Sequence, residues 1–580
     1  MIRIAAVTLA APNASKYFVD VDNNGALLTI PGATGAAVTV ILASPNGSLF
    51  LLGVDNNGAL TTQAGTGEDA EVILAAPSGA RFLVGVDNNG ALVTSPWSYD
   101  VEVEFVTGSW TNVSAECLGF TVTRERGEAG VGIAAGRAMI LADNFDGRWS
   151  PDNGASPYAP NIKPNRRLRI RAAWAGSTYA LFTGFLDSVK IDPVLARRRA
   201  TLKASDRIKR LGKVVITLGS VFTDINVGSV WTHVLSGSGL TADQRSIDQL
   251  FDVLPFAWYA RETPAGDAIR GLLDHGRGYA YLAGDDVLHV KDRYWPGRQT
   301  IAASLVNDFM GLGYTMTDER IVNRAVVRSK PRKRRPLGTA SVAWIKDPIF
   351  LPASSGIGFE LSYRDEENVE DDVPCVEMIA PVNGTDYLTN TASVSVGSGS
   401  GTDKTALTSA QVTFRATSAI CSLYNGADLG VYLTRFVLRG TPVQKQPELI
   451  ATTDDASSQN VYGKREFTLA NDFIGTQVHA TDYSTFLVQE GKEPRGDLAV
   501  TLKNQFPGIL AREIGDLLHV VESNAAVGSR WVITGISHTV RTERDVEHET
   551  EYDLEFFRDP EWLILDDATK AKLDQRRVAF

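Results

Sequence analysis

Three times in its first hundred residues the chain repeats one phrase. Asp22-Asn-Asn-Gly-Ala-Leu returns as Asp55-Asn-Asn-Gly-Ala-Leu and Asp87-Asn-Asn-Gly-Ala-Leu, with offsets of 33 and then 32 residues. Pro12, Pro45 and Pro77 each stand ten residues ahead of the acidic residue. A fixed period of this size marks a supersecondary unit that buries its apolar face only against its own copies. Each copy reads as one strand followed by a hairpin. Tyr17-Phe-Val-Asp-Val, Leu49-Phe-Leu-Leu-Gly-Val and Arg81-Phe-Leu-Val-Gly-Val form the first hairpin arms. The Asn-Asn-Gly tips supply the positive-φ residues of a tight turn. The copies can pack as a pseudo-threefold module or as a row of hairpins. The repeat also decides how residues 1–15 are read. Their charge, apolar stretch and small residues mimic a signal peptide, yet AVTLAAPNA is the first copy of EVILAAPSG, so no secretion signal is expected.

At 580 residues the chain should hold several domains. Its Gly, Thr and Val content and its short apolar runs between turn signals predict a mainly β, multidomain protein with a small α+β insert. The division expected is a repeat β module at 1–97, a β domain at 98–215, a small α+β domain at 216–298, a β-rich region at 299–445, a C-terminal β domain at 446–560 and a helix or tail at 561–580. VEVEFVTG (101–108) alternates with the period of a half-buried strand. Leu118 to Arg124, Leu168 to Ala173, Leu181 to Val189, Trp531 to Val540 and Asp553 to Phe557 continue the strand signal. Thr263-Pro264 fits a helix N-cap and first position. Ala268, Ile269, Leu272 and Leu273 then share one helical face, and Gly276 ends it. Residues 390–403 are a loop by composition.

A net charge of −11 argues against a general nucleic-acid binder. No apolar run is long enough to span a membrane. Cys117, Cys375 and Cys421 are too scattered for a disulfide framework or a thiolate metal site, which fits synthesis in a reducing cytoplasm.

The segments after residue 100 carry a resemblance. GSWTNVS (108–114), FTVTRERGE (120–128), GRAMILADNFDGRWSPDNGASPY (136–158), PNRRLRIRA (164–172), FTGFLD (182–187) and ASDRIKRL (204–211) follow one another in order. IVNRAVVRS (321–329), VYLTRFVLRGTPV (431–443), YGKREFTLANDFI (462–474), IGDLLHV (514–520), WVITGISHTV (531–540) and YDLEFF (552–557) extend the series. Residues 100–560 thus resemble the tail hub, or minor tail, proteins of long-tailed (siphovirus-type) bacteriophages. The resemblance implies a structural virion protein at the tail tip: a homotrimer closing the distal end of the tail tube, with two tail-tube-like β-barrel domains per subunit. Three subunits would offer six similar surfaces to a hexameric tube. It implies the distal tail protein, tail tube and tape-measure protein as partners, and phage DNA passing through the channel. An acidic wall suits that passage, because like charge keeps DNA from adhering. The repeats depart from the bare hub pattern. They raise a second reading, a tip protein that binds host-surface glycan or receptor-binding proteins. A tail-associated hydrolase is the third and weakest.

Candidate sites are few. Asp22 and Asn24, Asp55 and Asn57, and Asp87 and Asn89 are repeat-turn or surface-contact residues. Asp20-Val-Asp22-Asn-Asn24-Gly25 matches the first half of a calcium loop, but Pro31 stands at position twelve and the later copies have Gly53 and Gly85 in place of Asp20. A plain hairpin turn is the favoured reading. Tyr17, Phe50 and Phe82 could stack on sugars but fit a strand core better. Asp143, Asp146 and Asp152, with Trp149 and Tyr158, crowd one loop where turn chemistry outweighs a metal or sugar site. Arg332, Lys333, Arg334 and Arg335 form a dense basic run, read as an inter-subunit patch facing the acidic run 365–372 of a neighbouring chain. The seven histidines show no ligand spacing. No nucleophile, phosphate-loop or paired-carboxylate motif appears, so no cofactor, metal or catalytic residue is expected, and His538 reads as structural.

Overall fold

In this computed structural model, side chains are described from residue 98 to 557, apart from 128–131, 175–176, 195–197, 217–218, 249, 251, 260–261, 277, 294, 337, 366, 368–369 and 542–546. Outside those bounds only strand backbone is described.

The three repeats become three three-stranded antiparallel units. These are β1 (Val7–Ala10), β2 (Lys16–Val21) and β3 (Leu27–Pro31), then β4 (Val40–Ala43), β5 (Leu49–Val54) and β6 (Leu60–Ala64), then β7 (Val72–Ala75), β8 (Arg81–Val86) and β9 (Leu92–Val106). β1 runs beside β5, β4 beside β8, and β7 returns beside β2. The first strand of each copy thus meets the middle strand of the next, and the third copy closes on the first. Of the two packings open to the sequence, this is the pseudo-threefold one.

β9 carries the chain into a 15-stranded sheet without a break. Val101, Val103 and Phe105 are buried in alternation, as the period-2 pattern requires. The sheet passes from β9 through Arg167–Trp174, Ser177–Asp192, Arg199–Ser205 and Arg137–Asp143 to Cys117–Glu125. There it crosses to the far end of the chain. Gly119 to Glu125 pair antiparallel with Gly535 to Arg541 of Val527–Arg541. The sheet then continues through Glu547–Phe556 and Arg495–Lys503 to the edge strand Gly311–Thr317. One apolar core runs under both parts, from Val101 and Leu168 to Trp531 and Leu554. The strands form several sheets, none of them closed.

The chain between the two parts forms three smaller units. Helices Val227–Gly237 and Ala265–Gly276 pack with the hairpin Tyr279–Leu282 and Leu288–Lys291 around their own core. The expected helix is present, with Ala268, Ile269, Leu272 and Leu273 buried. Directly ahead of it, Thr263 and Pro264 pair with Ile216 and Val215 as a two-residue strand. The hairpin docks closely on the large sheet, for a Cβ on Gly284 would clash with the Ala180 carbonyl oxygen. A second unit joins strands Arg324–Ser329, Leu449–Asp454 and Glu466–Ala470 to helix Gln477–Gly491. A third, all-β unit is built around the long strand Val431–Lys445. Strand pairing therefore groups 301–317 with 495–556, across the linear division at residue 445. Of the expected C-terminal helix, residues 564–576 lie outside the described ones, and Trp562–Leu563 pairs with Arg577–Val578 as a short parallel bridge.

Candidate functional site

The repeat-turn residues Asp22, Asn24, Asp55, Asn57, Asp87 and Asn89 lie outside the described residues, as do the side chains of Asp20, Tyr17, Phe50 and Phe82.

The Asp143–Pro164 loop is held from within. Asp143 accepts from the Phe145 N–H at 3.1 Å, and Asp146 pairs with Arg148 at 2.6 Å. The Arg148 side chain holds the Asp146 carboxyl below its ordinary pKa. Arg148 also bonds Glu116, which accepts from the Tyr158 hydroxyl at 3.1 Å. Trp149 is 1% exposed and sits 5.0 Å from the Tyr158 ring and 6.1 Å from Phe105. The Trp149 and Tyr158 rings thus belong to the core and present no face to a sugar.

The basic run lies on the short strand Arg332–Arg334, paired with Lys445, Gln444 and Val443. Two of its arginines meet the acidic segment of the same chain, and Arg334 meets a carboxylate just beyond it. Arg332 reaches Glu370 at 2.9 Å, Arg335 reaches Glu367 at 2.8 Å, and Arg334 reaches Glu377 at 2.8 Å. The two segments that charge alone would place on neighbouring subunits are brought together here by strand pairing; Lys333 is exposed. Arg332 and Glu370 are largely buried, and the Arg332 guanidinium also lies 5.3 Å from the Trp258 ring. We expect Arg332→Ala to lower the stability of this unit by roughly 2–3 kcal/mol, below the ~3–5 kcal/mol of a buried pair broken outright, because Lys445 stays on Glu370 at 2.8 Å. Arg334→Ala should cost no more than about 1 kcal/mol, its pair being exposed. Urea midpoints of the two variants check the difference.

Charge is also concentrated where the large sheet crosses between chain ends. Arg124, 4% exposed, bonds Glu513 at 2.7 Å. Arg126 bonds Glu555 and lies 4.3 Å from the Tyr279 ring, so one side chain ties both sheet parts to the helical unit. Burial works against the Glu555 carboxylate, but the Arg126, Arg495 and Arg320 charges outweigh it and hold its pKa below the ordinary value.

Beside this seam the edge strand Gly311–Thr317 shows apolar side chains to solvent, with Tyr314 44% and Met316 60% exposed. Both line an open cavity of about 930 Å³ with Arg495, His519, Trp531 and Phe556. Such an edge offers unpaired backbone groups to another chain.

Two histidine groups were not legible as groups in the sequence. His538 and His548 face each other across paired strands, Nδ1 to Nε2, at 3.0 Å, and the Tyr99 hydroxyl meets His548 Nδ1 at 2.6 Å. Burial pushes His548 down to about 3 and His538 well below its ordinary value. The second group is Asp252, His275 and His479, contributed by two different units. Burial also makes the three thiols hard to ionise, with Cys117 pushed up to about 11 and Cys421 to about 12. Among the described residues no helix is long and apolar enough to cross a membrane.

No protein-family model matches the chain, and no curated protein matches it. Solved structures do. The chain is similar to the 43 kDa tail protein of prophage MuSo2 from Shewanella oneidensis, at 10% identity over 79% of this chain and 98% of that one, TM-score 0.42. It is similar to the tail protein from Neisseria meningitidis MC58, at 10% identity over 79% and 96%, TM-score 0.41. Prophage tail protein gp18 from Listeria monocytogenes EGD-e matches at 9% identity over 79% and 94%, TM-score 0.38.

Proposed function

We propose that this chain is a structural virion protein, the trimeric hub at the tip of a long, non-contractile phage tail. The observation that carries this reading is the pairing of Gly119 to Glu125 with Gly535 to Arg541. It sets two strand-rich parts of one chain side by side in a single sheet over one core, so three chains around an axis would present six related surfaces. In this reading the two parts, open sheets in the single chain, serve as the tube-like elements, and closed threefold symmetry converts a sixfold tube to a threefold tip. The apolar edge strand Gly311–Thr317 supports it as a surface for a neighbouring subunit or the distal tail protein. The native mass of the purified chain, together with labelling of intact tails, tests the proposal. A mass near three times 62.6 kDa and label at the tail tip are expected. A monomer that is also absent from the tail tip would overturn it.

The closed arrangement of the repeats favours a second role carried by the same tip. Three copies of one turn sequence around a pseudo-threefold module would give a multivalent contact to host-surface glycan. The full chain should then bind host cell-wall material and the chain lacking residues 1–97 should not; equal binding by both would dismiss this role.

A further inference from the structure

We propose that Asp252, His275 and His479 form a site for a divalent transition-metal ion of the zinc type, joining helix Ala265–Gly276 to helix Gln477–Gly491. One candidate ligand atom from each residue lies within 4.8 Å of the others. His275 Nε2 is 3.7 Å from Asp252 Oδ2. That is too long for a hydrogen bond. It suits two ligands of one ion: donors held about 2.0–2.1 Å from zinc in tetrahedral array lie about 3.3–3.4 Å apart. The remaining closure falls to the exposed Asp252 and half-buried His479, whose side chains have room to turn.

His275 supplies the independent observation. It is 1% exposed, and neither ring nitrogen has a hydrogen-bond partner. A buried polar group without a partner is costly, so an imidazole left with two orphaned nitrogens calls for a ligand. Its ring meets His479 with centroids 5.0 Å apart and the Phe473 edge at 6.4 Å. The His479 backbone N–H is already taken by the Thr476 cap at 3.2 Å, which fixes the start of its helix.

The donor set of two imidazoles and one carboxylate fits a borderline dication and falls short of the oxygen-rich shell of calcium or magnesium. The Arg293 guanidinium, 4.9 Å from the Phe486 ring, is the nearby charge that opposes a cation. Asp252 offsets it. The fourth position faces the open side next to Asp252, where water would complete the shell. The ion would act as a staple. The two helical units already touch here through Tyr483 Oη to the Asp274 carbonyl at 2.6 Å and Asn471 to the Gly271 carbonyl at 2.9 Å.

The test uses the full chain, stripped with EDTA and titrated with cobalt(II) and then zinc(II). We expect one ion per chain, visible cobalt bands of a four-coordinate site, and their loss as zinc displaces cobalt. His479→Ala and Asp252→Asn should each weaken binding by ~10–100-fold or more, since loss even of a group that only orients a ligand costs that much. Both positions are solvent-accessible, so the circular dichroism of these variants should match the metal-free wild type. A wild-type chain that takes up neither ion, or a folded His479→Ala that binds as tightly as wild type, overturns the site.

Discussion

Trp149→Ala should lower stability by about 3–5 kcal/mol, the loss expected for a large aromatic side chain removed from a packed core. The indole is 1% exposed and packs against Tyr158 and Phe105, whose rings stack on each other at 4.6 Å. It arises from a loop that the sequence marks only as polar and turn-rich. The contrast within that loop is the useful part. Asp152→Asn changes an exposed carboxylate and should stay within about 0.5 kcal/mol of wild type. Denaturant midpoints decide between a core anchor and a ligand platform. If Trp149→Ala left the midpoint unmoved, the loop would have to be reassigned to surface function.

Acid should destabilise the protein well above the range in which carboxylates titrate. His548, pushed down to about 3, and His538, lowered too, are neutral in the fold. In the unfolded chain they titrate near 6.5. The folded pKa lies below the unfolded one, so the unfolded state binds more protons between the two values. The stabilisation is complete above about pH 6.5 and falls as pH drops, by about 1.4 kcal/mol per unit for each histidine. From pH 6.5 to 4.5 His548 therefore removes roughly 2 kcal/mol, and His538 acts in the same direction. His275, also pushed down to about 3, adds a third share when metal is kept out with EDTA. Unfolding free energies at pH 7.5, 6.0 and 5.0 measure the slope, and His548→Asn should reduce it by one proton's worth. A stability that stays level down to pH 5 would show that these rings are protonated in the fold.

Local order was largely readable. The repeat period specified three equivalent units, and alternation located Val101, Val103 and Phe105 on the buried face. The 3.6-residue spacing of Ala268, Ile269, Leu272 and Leu273 located the helix. What alternation cannot convey is the partner of a strand. Nothing in Thr121 and Thr123 points to Thr539 and Ser537, although they are opposite one another in the sheet. The same limit hid both histidine groups, whose members stand on separate elements and meet only through tertiary packing. It also decided the charges. A basic run and an acidic run announce attraction, and only the register of Arg332 with Lys445 shows that one chain satisfies it. Thr263-Pro264 shows the same limit: its helix follows at Ala265, yet nothing in the dipeptide points to its strand partners Ile216 and Val215.

The crossing of the large sheet sets a schedule for the growing polypeptide. When Cys117–Glu125 leaves the ribosome, its partner Val527–Arg541 has not been made, and about 400 residues separate them. At bacterial-range rates of about 5–20 residues per second, the first strand waits roughly 20–80 s with one side unsatisfied. During that interval it is an open template for the same strand of another nascent chain. Messages translated by closely spaced ribosomes, or stalled before codon 527, should therefore yield aggregates that full-length release prevents. The strand that unites the molecule is also among the last that synthesis completes.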